Sequence, residues 1–233
     1  MHIREIFSDF VSLFYPALCV GCSEPLPRGV AHICVKCRYD LPKTSNHILQ
    51  IETLNEKFRN IVDVKYLLVY CYFYKGSVFQ QIIHHLKYEH QPEIARMLAR
   101  WYAEELRSSD TEMTFDYAVP VPLHRSKRVK RGYNQAEMIC EGLSTSLEAE
   151  IIPDALFRIK PNQSLTGLNK VERMTTLNET YLLNDAYRKA LKGKDILLVD
   201  DIMTTGSTLI ACYEALKKTQ PASISFLVLG AAQ

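Results

Sequence analysis

The stretch Ile196–Leu209, ILLVDDIMTTGSTL, decides how this chain is read. Ile196 to Val199 is a run of four apolar residues and predicts a short strand buried on both faces. Two consecutive carboxylates follow, Asp200 and Asp201, and then a loop of small hydroxyl residues around one glycine: Thr204, Thr205, Gly206, Ser207 and Thr208. Burying adjacent like charges is costly, so both Asp are expected at a strand end facing solvent, a ligand or a cation. Backbone N–H groups in such a turn at a helix start form an anion nest, and the helix dipole favours a phosphate there. The hydroxyls add donors and Gly206 permits close backbone approach. The two carboxylates one step earlier can accept from vicinal hydroxyls or bind a cation carried by the ligand. Phosphate plus diol describes a sugar phosphate. A helix cap needs one such residue, not seven polar or small positions in nine.

The flanking sequence repeats this pattern. VKYLLVYCYFY (64–74) is rich in β-branched and aromatic residues and predicts a strand, closed by a turn at KGS. Helical patterns follow at 77–90 and at 91–109, the second with Pro92 near its first turn. FDYAVPVPL (115–123) reads as extended, then a basic loop, then a helix at 134–147. EIIPDALF (150–157) is extended, a polar stretch runs to Thr180, a helix is expected at about 207–219, and ASISFLVLG (222–230) is a last apolar strand. Strands alternating with helices predict a parallel sheet covered on both faces, an α/β fold. Ligands in such sheets bind beyond the carboxyl ends of the strands, where the basic loop, the polar stretch and the DD loop converge. The sequence lacks GxxxxGK[ST] and a GxGxxG after a strand, which argues against a P-loop nucleotide triphosphatase and a dinucleotide-binding dehydrogenase.

The 233 residues are 47% hydrophobic and 23% charged, with a net charge of only +2. That excludes wholesale disorder and a whole-molecule polyelectrolyte binder, so any nucleic-acid affinity must come from a local cluster. Arg125, Lys127, Arg128, Lys130 and Arg131 form such a cluster, an electropositive strand end suited to pyrophosphate or to a DNA backbone. Arg131, Asn134 and Gln135 of RGYNQ are expected to line the site. Lys87, in HHLKY, reads as a surface residue, and His84 and His85 as packing or solvent-facing.

Cys19, Cys22, Cys34 and Cys37 form two CxxC knuckles with eleven residues between them. Two such pairs complete an all-thiolate tetrahedral shell, which points to structural zinc with no open position for catalysis. Cys71, Cys140 and Cys212 sit in apolar contexts and read as small core residues. At the N-terminus, Ile3, Ile6, Phe7, Phe10, Val11 and Phe14 fall at helical spacing, while Arg4, Glu5 and Asp9 interrupt the apolar run. No membrane span or signal-peptide core is expected, and a cytoplasmic location follows. Residues 1–45 are expected to form the helix and metal module, and residues 46–233 the α/β domain, with Lys43 to Asn60 as a less patterned link.

ILLVDDIMTTGST resembles the PRPP-binding signature of type I phosphoribosyltransferases. The resemblance implies Asp200 and Asp201 on the ribose hydroxyls, Thr204 to Thr208 on the 5′-phosphate, and Mg²⁺ bound with PRPP. AVPVPLHRSKRVKRGYNQAE (118–137), LFRIKPNQSLTGLNKVER (156–173) and the CxxC–CxxC module ahead of HHLKY resemble the ComF family of competence-associated phosphoribosyltransferase-like proteins. One departure is visible: where such proteins often carry ERxxNV, this chain has ERMTTL, with Thr176 at the Asn position. The expected fold is a type I phosphoribosyltransferase (Rossmann-like parallel sheet) core with a small N-terminal zinc module. The catalytic residues expected are Asp200, Asp201 and Arg131. Arg125, Arg131, Asn134, Gln135, Arg158, Gln163 and Arg173 are expected on pyrophosphate or on a mobile loop closing over PRPP, as is the polar stretch bearing Lys160 and Thr166. The expected reaction transfers phosphoribosyl from PRPP to a nitrogen acceptor. Single-stranded DNA and the DNA-uptake machinery are the other expected partners, and a non-catalytic DNA-uptake accessory is the competing reading.

Overall fold

The computed structural model describes residues 15–109, 112–159 and 180–233. The expected N-terminal helix before residue 15, and Lys160, Gln163, Thr166, Arg173 and Thr176 in the polar stretch, lie outside the described residues.

In chain order the elements begin with three short helices, α1 (Val35–Tyr39), α2 (Asn46–Leu49) and α3 (Glu52–Asn55). Then come β1 (Leu67–Phe73), α4 (Val78–Tyr88), α5 (Pro92–Ser108) and β2 (Tyr117–Pro120). They are followed by α6 (Arg125–Arg131), α7 (Gln135–Leu147), β3 (Glu150–Ile151), β4 (Leu156–Arg158) and β5 (Tyr181–Leu183). The chain ends with α8 (Arg188–Leu191), β6 (Asp195–Met203), α9 (Ser207–Lys217) and β7 (Ser223–Ala232).

Five strands make one parallel sheet in the order β1-β7-β6-β2-β3. The period of two in each strand sorts its side chains onto two cores. Leu68, Tyr70, Leu197, Val199, Leu227 and Leu229 face one, under α4, α5 and α7. Val69, Ile196, Leu198, Phe226 and Val228 face the other, under α9 and the segment carrying Leu54 and Phe58. Central strands buried on both faces read as continuous apolar runs, as 196–199 and 226–229 do. Cys71, Cys140 and Cys212 are fully buried in these cores, as expected.

Local chemistry sets the element ends. Ser77 caps α4 by accepting from the Gln80 amide at 3.0 Å, and Pro92 opens α5. Gly142 lets α5 and α7 touch backbone to side chain: a Cβ there would lie 2.4 Å from the Arg96 carbonyl and 2.7 Å from Ala99 Cβ. Three expectations need correction. The basic stretch after β2 is a helix, not a loop, because His124 caps its start and Gly132 ends it at φ +80°. The apolar strand does not stop at Val199 but stays paired with β7 through Asp200, Ile202 and Met203. Residues 150–157 are two short strands, β3 at the sheet edge and β4, which pairs antiparallel with β5 as a separate hood over α9.

The four-cysteine segment packs directly on the sheet's helical side. Cys19, Val20, Ile33, Cys37 and Leu41 share one apolar cluster with Phe79, Leu98 and Tyr102. Arg38 lies over the Trp101 ring, 4.3 Å from its centroid. Among the described residues no helix is long and apolar enough to cross a membrane.

Candidate functional site

The carboxyl ends of β2 and β6 open onto a cleft of about 190 Å³ walled by Asp200, Asp201, Thr208, Lys87, Lys127 and Arg131. Asn134, Gln135, Arg158 and Tyr181 complete its polar wall. It sits beyond the strands' carboxyl ends, where parallel sheets bind ligands.

The acid pair is held by its own backbone. Asp200 Oδ1 accepts from the Asp201 amide at 2.8 Å, and Asp201 Oδ1 from the Ile202 amide at 2.6 Å. Both residues are half-buried rather than turned fully to solvent, because the strand carries them inside the cleft. Burial, then the neighbouring Asp201 charge, pushes the Asp200 carboxyl up to about 7, against the pull of the Asp201 amide, Lys87 and Arg158. Lys87 is no surface residue: its Nζ lies 3.0 Å from Asp201 Oδ2. The correction follows from helix geometry, since the buried face of α4 (Phe79, Ile82, Ile83, Leu86) turns the adjacent residue 87 toward the strand ends.

Cations crowd the opposite wall. Lys127 is pulled below its usual range by desolvation and by the positive charges of Arg158, Arg131 and Lys87. Like charges gathered in one cleft mark a place for an anion. Arg131 donates to Gln135 Oε1 at 3.0 Å, which leaves the Gln135 amide nitrogen buried without a partner among the described residues. Such a donor calls for an acceptor in the cleft. Asn134 also lines the cleft, but its side chain caps α7 at the Ala136 amide and donates to the Val121 carbonyl. Its role in the fold is therefore structural. Arg125 does not wall the cleft; it is exposed at the start of α6, and Arg128 pairs with Glu137 at 3.1 Å. Arg158 ends β4 and lies over the Tyr181 ring, 5.3 Å from its centroid, so the hood brings a guanidinium to the cleft. Gln163 and Arg173 fall outside the described residues.

The TTGST loop links β6 to α9. Gly206, at φ +78°, precedes the first helical residue, and Thr205 Oγ1 and Ser207 Oγ lie 3.0 Å apart. Thr204 and Thr205 are exposed and Ser207 is half-buried, while Thr208 alone of these reaches the cleft wall.

The four cysteines converge separately, with their Sγ atoms all within 4.8 Å of one another. Cys22 and Cys34 Sγ are 3.8 Å apart, the edge of about 3.8 Å expected for a tetrahedron with metal–sulfur bonds of about 2.3 Å. Burial by itself would raise the Cys19 thiol, but amides of Cys34, Gly21 and Cys22 together draw it down to about 6. The donor set fits a metal such as zinc.

A phosphoribosyl transferase domain is matched over residues 143–232. The DNA utilization protein YhgH of Escherichia coli (strain K12) is 27% identical over 233 residues, covering 91% of this chain and 96% of its own. Competence protein F of Haemophilus influenzae is 29% identical over 140 residues, covering 59% of this chain and 61% of its own. Competence protein ComFC of Bacillus subtilis is 25% identical over 215 residues, covering 91% and 83%. The domain match and these relatives together support the ComF family, with a type I phosphoribosyltransferase fold.

Proposed function

We propose that the cleft binds PRPP and transfers its phosphoribosyl group to a nitrogen acceptor, releasing pyrophosphate. The observation that carries this reading is the shared cleft: an acid pair, four cationic side chains and the start of α9 meet at the carboxyl ends of parallel strands. Asp200 and Asp201 hold the ribose diol, and the loop from Thr204 to Thr208 holds the 5′-phosphate. Lys87, Lys127, Arg131 and Arg158 face the pyrophosphate, and the unpartnered Gln135 amide donates to it. Adjacent oxygen ligands suit Mg²⁺, which when bound neutralises part of the leaving charge. As the bond from the anomeric carbon to pyrophosphate lengthens, positive charge grows on the ribose and negative charge on the leaving group. Fixed carboxylates beside the first and fixed cations beside the second stabilise both without reorganising. The hood carries Arg158 over the cleft and helps to exclude water from a reaction that water would spoil.

The same reading takes residues 1–45 as a structural zinc module and 46–233 as the transferase domain, in a cytoplasmic protein. The relatives' names carry DNA utilization and competence, which supports a role for this activity in the uptake or use of DNA. Pyrophosphate release tests it: zinc-loaded protein with Mg²⁺–PRPP is screened against nucleobases and ammonia. Acceptor-dependent release supports transfer, and its absence with every nitrogen nucleophile argues against it.

A second reading rests on α6, whose Arg125, Lys127, Arg128 and Lys130 are exposed and whose Val129 is 79% exposed. That face suits the backbone of single-stranded DNA, with the PRPP site as sensor or relic. Binding should fall steeply with salt, and neutralising Lys127, Arg128 and Lys130 should flatten the slope; salt-independent binding would count against it.

A further inference from the structure

The turn between α3 and β1 reaches the TTGST loop from outside the sheet. The Phe58 ring fills the space beside Gly206, where a Cβ would come within 2.8 Å of it. One residue earlier, Lys57 Nζ donates to the Thr204 carbonyl at 2.8 Å and to the Ala232 carbonyl at 3.2 Å. These carbonyls stand at the ends of β6 and β7, so one ammonium ties the loop to the sheet's carboxyl edge. An ammonium has three donors, and the third has no partner among the described residues. No carboxylate of the described residues lies within 4.0 Å of it, and desolvation draws its pKa down with no acid to offset that. The loop Thr204–Thr208 carries no basic side chain of its own. The two carbonyls solvate this ammonium but carry no charge to balance it, so an anion nearby is favoured.

We propose that Lys57 is a positioning residue of the 5′-phosphate subsite. By holding the Thr204 carbonyl toward the α3–β1 turn it leaves the loop's amides and hydroxyls to the ligand, and its charge favours a phosphate dianion there. The inference rests on the phosphoribosyl reading of the cleft. It also gives the link between the metal module and β1 a function in ligand binding.

The test uses full-length zinc-loaded protein and two probes, ribose 5-phosphate and Mg²⁺–pyrophosphate, titrated into the wild type, Lys57→Met and Lys57→Arg. Lys57→Met should weaken ribose 5-phosphate about tenfold or more and pyrophosphate less than about twofold, and Lys57→Arg should recover most of the loss. Unchanged ribose 5-phosphate affinity in Lys57→Met would overturn the proposal. So would an equal loss of both probes without rescue by Lys57→Arg, which would mean a general effect on the fold. Wild-type protein that binds pyrophosphate but not ribose 5-phosphate would overturn the loop's phosphate role itself, and Lys57's with it.

Discussion

Lys87 Nζ sits 3.0 Å from Asp201 Oδ2, an ion pair that joins the last turn of α4 to the strand carrying the acid pair. The pair is largely shielded, with Lys87 and Asp201 side chains 22% and 14% exposed. It keeps a cation between the carboxylates and the basic helix, at the point where a leaving pyrophosphate would need it.

Replacing that cation should therefore affect binding more than folding. Lys87→Met should weaken Mg²⁺–PRPP about tenfold or more, with Lys87→Arg partly active, because the cleft loses a cation that attracts the ligand's phosphates. Titration calorimetry reads the affinity, and circular dichroism confirms an intact fold. Wild-type affinity in Lys87→Met would remove the residue from the site.

Asp200 makes the free protein pH-sensitive. Its carboxyl is raised to about 7, above the usual unfolded value of about 3.9, so the folded state holds the proton more tightly. Its contribution to stability is full below about pH 4 and is lost as pH rises through about 7. Asp200→Asn should thus be more stable than wild type at pH 8 by about 1 kcal/mol or more, and the difference should vanish near pH 4. Thermal melts across this range check the sign; a destabilised variant at pH 8 would contradict it.

The four-cysteine segment shares its core with the α/β sheet and its helices, since Cys19, Val20, Ile33 and Cys37 pack in one cluster with Phe79 and Leu98. Cys22→Ser should lose metal, measured by atomic emission, and lower the melting temperature of the whole chain in a single transition. Two separated transitions would mean an independent module.

Gly206 is constrained twice, by φ +78° and by the Phe58 ring. Gly206→Ala should cost about 1–3 kcal/mol of stability and weaken ribose 5-phosphate, because the loop must move off Phe58. A neutral effect in denaturant unfolding would show that the loop adapts freely.

Some of this was legible in the sequence. The apolar run at 196–199 identifies the sheet, and the acids after it mark the strand end where they and Thr208 line a cleft, since each follows from local pattern. The doubled CxxC spacing indicated the sulfur cluster for the same reason. The roles of Lys87 and Lys57 are not legible: a lysine's role depends on which distant strand end its helix or turn faces, HHLKY does not say what Lys87 meets, and Lys57 stands in no distinctive motif. The basic stretch reads as a loop because its helix is short and buries no face, and its signals are only the His124 cap and Gly132 stop. Asn134 lines the cleft as its place in RGYNQ suggests, and its second task, capping α7 while donating to a carbonyl 13 residues earlier, depends on a distant strand and is not legible.

The most direct test of the PRPP site is calorimetric titration of the zinc-loaded protein with Mg²⁺–PRPP, with an Asp200→Asn/Asp201→Asn double variant beside it. Saturable binding by the wild type, lost in a double variant that keeps its zinc and its fold, is the expected result. Undiminished affinity in the double variant, or no binding by the wild type, would contradict the assignment of the acid pair to PRPP.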